Sequence, residues 1–137
     1  MTVVDASVLV SGAILGDVFH LPSVAWLARS RRSRSPLSIP TLALPEVAGA
    51  IARRTGDSAF AIEMTTALRR TRTFAIVPLD DDLVDQAVLL ASERQIRGAD
   101  AVYVALALLR GVALVTWDRE MLARGAGLVD VRTPLEF

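Results

Sequence analysis

Apolar segments of two lengths alternate along the chain. Short apolar runs bounded by polar or turn residues predict buried strands at Thr2–Val4, Leu37–Ile39, Phe74–Val77, Val112–Thr116 and Val129–Val131. Longer segments between them, with apolar residues three or four positions apart, predict helices. Because strands that alternate with helices are typical of α/β proteins, we expect three layers, with a mostly parallel central sheet flanked by helices.

The predicted helices have apolar stripes and recognisable ends. Leu44, Val47 and Ile51 fall on one face of a helix. Residues 101–109 are apolar on every face and are followed by Arg110 and Gly111, a cationic last turn and a cap, so we expect this helix to be central. The other predicted helices are a short one within residues 6–15, one opened by Pro22, one over residues 57–72, one over residues 83–94 and one over residues 119–124.

Composition narrows the class of protein. The 137 residues are 53% hydrophobic, which predicts a single folded domain over residues 1–137. All fifteen cationic side chains are arginine and fifteen acids balance them, so a uniformly basic nucleic-acid surface is excluded, whereas local basic patches are not. With no cysteine and one histidine, the chain has no disulfide scaffold or zinc finger. Uncharged runs reach only eleven residues and no secretion signal precedes them, so we expect a cytoplasmic protein without a membrane span.

Four acidic residues carry the candidate chemistry. Asp5 and Asp118 lie just beyond the carboxyl ends of predicted strands, where open parallel sheets place their sites. Glu46 and Asp100 lie at or near the starts of predicted helices. Four oxygen donors with almost no nitrogen or sulfur donors favour Mg²⁺ or Mn²⁺ over zinc, and such a metal polarises a phosphate and activates water.

Each acid also has a purely structural interpretation. Asp118 and Asp100 are suited to capping the helices that follow them, and Glu46 to a solvated position behind its apolar stripe. Asp5 fits a structural role less well, since it follows Val3 and Val4 and precedes more apolar residues, and an isolated buried charge is costly unless it is paired or bound to a metal.

Four segments together resemble a known family. They are Val-Val-Asp-Ala-Ser-Val-Leu-Val at 3–10, Leu-Pro-Glu-Val at 44–47, Gly-Ala-Asp-Ala-Val-Tyr-Val-Ala-Leu-Ala at 98–107 and Leu-Val-Thr-Trp-Asp-Arg-Glu at 114–120. These resemble the four acidic blocks of the PIN domain, and most of all those of small VapC-type toxins from bacterial toxin–antitoxin pairs. Each block alone is moderately specific, whereas four in the right order over essentially the whole chain are highly specific.

The resemblance implies a site and an activity. It implies that Asp5, Glu46, Asp100 and Asp118 are the catalytic, metal-binding acids, with the hydroxyls of Ser7 and Thr116 supporting the first and the last of them. It further implies an Mg²⁺-dependent endoribonuclease that accepts Mn²⁺, forms a homodimer, cuts RNA, and is inhibited by an antitoxin whose tail occupies the acidic groove.

The sequence alone leaves the roles of several residues open. The basic run Arg29–Arg34 is either an RNA contact or a solvated helix end. Trp117 is placed to stack on an unpaired base, to pack in the core or to contact an antitoxin, and Tyr103 is expected in the core with its hydroxyl bonded. His20 has no assigned role. Two other functions stay in view: a PIN nuclease of RNA processing without an antitoxin, and a catalytically silent protein-binding module.

Overall fold

Five strands and seven helices build the protein, and the computed structural model describes every residue from Met1 to Phe137. In chain order they are β1 (Thr2–Val4), α1 (Ala6–Ala13), α2 (His20–Arg32), β2 (Leu37–Pro40), α3 (Ala43–Thr55), α4 (Ser58–Arg70), β3 (Phe74–Val77), α5 (Asp81–Arg94), α6 (Gly98–Arg110), β4 (Ala113–Val115), α7 (Arg119–Gly125) and β5 (Val131–Arg132). No helix is long and apolar enough to cross a membrane.

The strands form one parallel sheet in the order β3-β2-β1-β4-β5, which confirms the predicted α/β fold. From β1 the chain proceeds to β2 and β3 toward one edge, whereas β4 and β5 extend the sheet the other way. Right-handed connections therefore place α1–α4 on one face and α5–α7 on the other. In agreement, α1 packs against α2 and α3, and α6 packs against α5 and α7. The direction of winding reverses between β1 and β4.

The core is centred on this reversal point. Val3 and Val4 of β1 and Leu114 and Val115 of β4 are completely buried. Residues Ala101–Ala107 of α6 are buried without interruption, so the prediction of a central helix is confirmed. A helix that is apolar all round has to be enclosed, and here the sheet and the neighbouring helices enclose it.

Several predicted boundaries are wrong by a few residues, and two of them have a clear physical reason. The second helix begins at His20 rather than at Pro22, because proline is tolerated within a first turn, where its missing N–H has no helical partner. The last strand is Val131–Arg132 rather than Val129–Val131, because the backbone N–H groups of Leu128 and Val129 both donate to Gly125 in a turn that delays pairing with β4.

Candidate active site

The four predicted acids lie at the edge of the sheet formed by the carboxyl ends of the strands. Asp5 directly follows β1 and Asp118 lies three residues after β4, so both lie where the winding direction reverses. Open α/β sheets form a ligand crevice at this point. Glu46 is in the first turn of α3, which follows β2, and Asp100 is in the first turn of α6, whose far end leads into the start of β4.

Asp5 is 5% exposed and is held through one oxygen. Its Oδ2 accepts hydrogen bonds from the Ser7 hydroxyl, from the Ser7 backbone N–H over 3.2 Å and from the Thr116 hydroxyl over 2.8 Å, and none of these donors reaches Oδ1. Burial raises the pKa of Asp5, and the hydrogen bonds from Ser7 and Thr116 oppose that rise. The carboxylate also caps α1. Oδ1 is thus left for a further partner.

Ser7 and Thr116 join the ends of β1 and β4. Thr116 is fully buried, and its hydroxyl accepts a hydrogen bond from the Asp118 backbone N–H over 2.9 Å while donating to Asp5. The Ser7 hydroxyl accepts from the Trp117 N–H over 3.0 Å. The two hydroxyls therefore fix both the Asp5 side chain and the backbone that carries Asp118.

Glu46 is paired with a buried phenol. The Tyr103 ring is fully buried and its hydroxyl donates to Glu46 Oε2, as expected for a core tyrosine with a bonded hydroxyl. Burial raises the pKa of Glu46, and the carboxylates of Asp5 and Asp100 raise it further. Glu46 is half-buried and faces other acids, so the alternative of a solvated position behind the helix stripe is wrong.

Asp100 and Asp118 share one guanidinium, that of Arg97, which the sequence reasoning missed. Arg97 Nε lies 2.7 Å from Asp100 Oδ2, and Arg97 Nη2 lies 2.7 Å from Asp118 Oδ2. Burial raises the pKa of Asp100; Arg97 opposes the rise, and the carboxylates of Asp118 and Asp5 add to it. The only available signal was the spacing of three residues between Arg97 and Asp100, which puts both in one helical turn.

The capping alternatives have different outcomes for these two acids. Asp118 does cap α7, because its Oδ1 accepts from the Met121 N–H over 2.8 Å, yet its other oxygen faces Arg97. Asp100 is not the cap of α6, since that position is held by Arg97 without a side-chain hydrogen bond. Helix capping therefore explains the contact of one Asp118 oxygen and no contact of Asp100.

The oxygen-only donor set fits a hard divalent cation in chemistry, although the acids are not gathered around one point. No group of three or more acidic or histidine side chains is close enough to hold a metal ion as the side chains stand. The competing partners give the physical reason: Arg97 holds Asp100 and Asp118, and Tyr103 holds Glu46. Asp5 nevertheless raises the pKa of both Glu46 and Asp100, and Asp100 raises that of Glu46, so these carboxylates lie near enough to repel one another.

The predicted basic run lies away from this cluster. The run Arg29–Arg34 leads toward β2 at the opposite edge of the sheet, where the Thr2 N–H donates to the Pro36 carbonyl. Within it, Arg29 donates to the Pro134 and Phe137 carbonyls. His20 Nδ1 lies 3.0 Å from the Ser11 carbonyl, a structural contact.

Fold and site together define an α/β domain with an acidic crevice at the reversal point of a parallel sheet. The family model of the PIN domain matches residues 2–128, and the chain belongs to that family. A curated relative, exonuclease VapC9 of Pyrobaculum aerophilum, is 42% identical over 57 residues, which are 42% of this chain and 43% of that protein. The matched part therefore spans less than half of that relative.

Solved structures share the fold over nearly the whole chain. VapC20 of Mycobacterium tuberculosis, described as a sarcin-ricin loop cleaving toxin, is 25% identical with a TM-score of 0.75 and covers 96% of this chain and 99% of its own. A toxin–antitoxin complex from Klebsiella pneumoniae contains a chain that is 22% identical with a TM-score of 0.68, with 98% of both chains covered. At these identities the likeness to the Klebsiella chain concerns the fold alone.

Proposed function

We propose that this protein is an Mg²⁺-dependent endoribonuclease that hydrolyses RNA phosphodiester bonds, and that it is the toxin of a toxin–antitoxin pair. One observation carries the proposal: in a PIN-family fold, all four acids lie at the carboxyl edge of the sheet where its winding reverses, and Asp5 raises the pKa of both Glu46 and Asp100. Carboxylates that repel one another in a partly buried crevice are favourable ligands for a hard divalent cation.

The roles of the residues follow from their contacts. Asp5, Glu46, Asp100 and Asp118 would hold the cation, with Mn²⁺ as a substitute for Mg²⁺, and Ser7 and Thr116 would keep Asp5 oriented so that Oδ1 is available. A bound divalent cation lowers the pKa of a coordinated water and polarises the phosphate. The buried Tyr103 hydroxyl keeps Glu46 directed into the crevice.

The proposed assembly includes an antitoxin and a second copy of the chain in the cytoplasm. The structural neighbour found in a toxin–antitoxin complex supports the first partner. Helix α5 supports the second, since Val84, Val88 and Leu89 are between 39% and 60% exposed on its surface, where a copy of the same helix would cover them.

The direct test is cleavage of RNA by purified protein. We expect the wild type to cut RNA internally with Mg²⁺ or Mn²⁺ and to stop when EDTA is added, and we expect Asp5→Asn and Asp100→Asn to be inactive while remaining folded. Asp85→Asn is the matched control, because Asp85 is exposed on α5 and makes no ion pair. Full activity in excess EDTA, or in Asp100→Asn, would refute the proposed site.

The toxin role has a separate test. Expression of the chain alone should arrest growth, and co-expression of its antitoxin should restore growth, whereas Asp100→Asn should be harmless. A wild-type chain that cleaves RNA in vitro yet leaves growth unaffected at high expression would instead favour an RNA-processing nuclease without an antitoxin.

A further inference from the structure

A groove of about 740 Å³ opens beside the acids on the face built by α1–α4. Glu46 and Asp118 lie at its acidic side, Phe19 and Trp117 form an aromatic wall, and Arg53 and Arg54 of α3 lie at its far side. The proposed metal-binding roles of the acids involve neither the aromatic nor the basic residues of this groove. We call this space the side groove.

The aromatic wall is fixed in place. The Phe19 and Trp117 rings are stacked, with centroids 4.2 Å apart and planes inclined by 10°. The Trp117 indole N–H donates to the Ser23 hydroxyl over 2.8 Å and its backbone N–H donates to Ser7, so the indole is held from both sides. Phe19 is 39% exposed, so its ring adds an accessible aromatic surface to this rigid stack.

The two arginines of the groove differ in their pairing. Arg54 Nη1 lies 2.6 Å from Asp17 Oδ2, and Asp17 Oδ1 accepts from the Phe19 backbone N–H over 2.8 Å. Arg54 thereby braces the loop that carries Phe19, and its charge is already neutralised. Arg53 is exposed and makes no ion pair. The groove therefore has one cation available to an anionic ligand.

Gly49 leaves room for the Arg53 guanidinium on the surface of α3. A Cβ at residue 49 would lie 3.0 Å from Arg53 Nη1, so the side chain runs along α3 in the space that Gly49 leaves open. Residues three, four and seven positions apart share a helix face, so Arg53 extends over Gly49 in the direction of Glu46. An available cation is thus directed along the groove toward the acids.

We propose that the side groove binds one unpaired nucleotide of single-stranded RNA next to the bond that is cut, with its base on Phe19 and its phosphate on Arg53. This inference rests on the proposed nuclease function. An aromatic face stacks on any exposed base, and a guanidinium fork matches a phosphate. Paired bases present no free face, so the groove selects unpaired RNA. A cationic protein tail would pair with the acids but offers no phosphate to Arg53, which favours RNA as the occupant of the aromatic and basic side of the groove.

Binding of a labelled pool of 12-nucleotide single-stranded RNAs of random sequence tests this in the Asp100→Asn background, which prevents cleavage. Phe19→Leu should lower the affinity about fivefold or more, because it removes the stacking face and keeps an apolar side chain. Arg53→Gln should weaken binding and reduce the slope of log affinity against log salt by about 0.7, the value for one phosphate contact on a single strand.

Two further variants control for position and for folding. Arg32→Gln removes the same charge at the opposite edge of the sheet, and we expect it to leave affinity and salt slope unchanged. Gly49→Ala keeps the charge but displaces the Arg53 guanidinium, so it should weaken binding in the same direction as Arg53→Gln while the melting temperature holds or rises.

The outcomes separate this inference from the nuclease function. Unchanged affinity in both Phe19→Leu and Arg53→Gln, or equal affinity for the same RNAs annealed to their complements, would overturn the side groove as a nucleotide site. If the wild type still cleaves RNA in that case, the nuclease function stands. If Asp100→Asn does not bind RNA and the wild type does not cleave it, both are refuted.

Discussion

Arg97 donates to the one oxygen of Asp118 that the helix cap leaves free. Its Nη2 lies 2.7 Å from Asp118 Oδ2, while Asp118 Oδ1 accepts from the Met121 N–H over 2.8 Å. Each oxygen of Asp118 thus has a donor, and the same guanidinium also holds Asp100. A divalent cation that binds these two carboxylates has to compete with a cation supplied by the chain itself.

Removal of this competitor should strengthen metal binding. Arg97→Gln is expected to raise the affinity for Mn²⁺ about twofold to thirtyfold, because two ion pairs of a largely exposed arginine, worth roughly 0.2–1 kcal/mol each, no longer have to be broken. Isothermal titration calorimetry on RNA-free protein measures the effect. Arg119→Gln is the matched control, since Arg119 is the residue after Asp118, is exposed and makes no ion pair. An affinity equal to that of this control would mean that Arg97 does not compete.

The contrast between Asp5 and Arg97 shows which parts of the site the sequence could predict. Asp5 lies at the end of an apolar run, and that pattern alone places it at a strand end in a buried setting. The first contact of Arg97 is also local, since Asp100 is three residues away. Its second contact joins residues 97 and 118 across two elements, and only the packing of α6 beside α7 creates it.

The sequence predicts the fold better than it predicts which charged residues lie beside the site. Alternating apolar strands and helices determine a parallel sheet, because parallel neighbours need a crossover between them. Sequence patterns do not show which edge of the sheet a charged segment reaches. The sequence therefore offers the run Arg29–Arg34 as an RNA contact, whereas Arg53, within an ordinary amphipathic helix, is the arginine directed along the side groove.

Without metal, ionisation of Asp100 should cost stability. Burial raises its pKa above 3.8 in the folded protein, so between the unfolded and the folded pKa the folded chain binds more protons. The free energy of unfolding of the wild type, relative to Asp100→Asn, should therefore be highest below about pH 4 and fall as pH rises through the folded pKa. Urea denaturation of both proteins in EDTA from pH 4 to pH 8 measures the difference. If the wild type instead becomes more stable relative to Asp100→Asn as the pH rises, attraction by Arg97 outweighs the effect of burial.

Loss of the Thr116 hydroxyl should lower the free energy of unfolding by more than loss of an ordinary hydrogen bond. Thr116→Val keeps the shape of a fully buried side chain but removes a donor from buried Asp5 and an acceptor from the Asp118 N–H. We expect a loss of about 1–3 kcal/mol in the free energy of unfolding, because an unsatisfied buried group keeps its desolvation cost. Thr116→Ser should recover most of that loss. Equal urea midpoints for the wild type and Thr116→Val would contradict this role.

The last prediction separates the scaffold from the site by their response to metal. Val104 is fully buried in α6, and Val104→Ala should cost about 1–3 kcal/mol whether or not Mg²⁺ is present, because the change removes packing but no carboxylate. Mg²⁺ at about 100 times its dissociation constant should add roughly 2.7 kcal/mol to the wild type and to Val104→Ala alike. Asp100→Asn should gain much less, since an amide in place of the carboxylate loses the charge that holds the cation. Chemical denaturation of the three proteins with and without Mg²⁺ measures these differences. A wild type indifferent to Mg²⁺, together with an Asp100→Ala form clearly less stable than the wild type, would mean that the acids serve the fold rather than a metal.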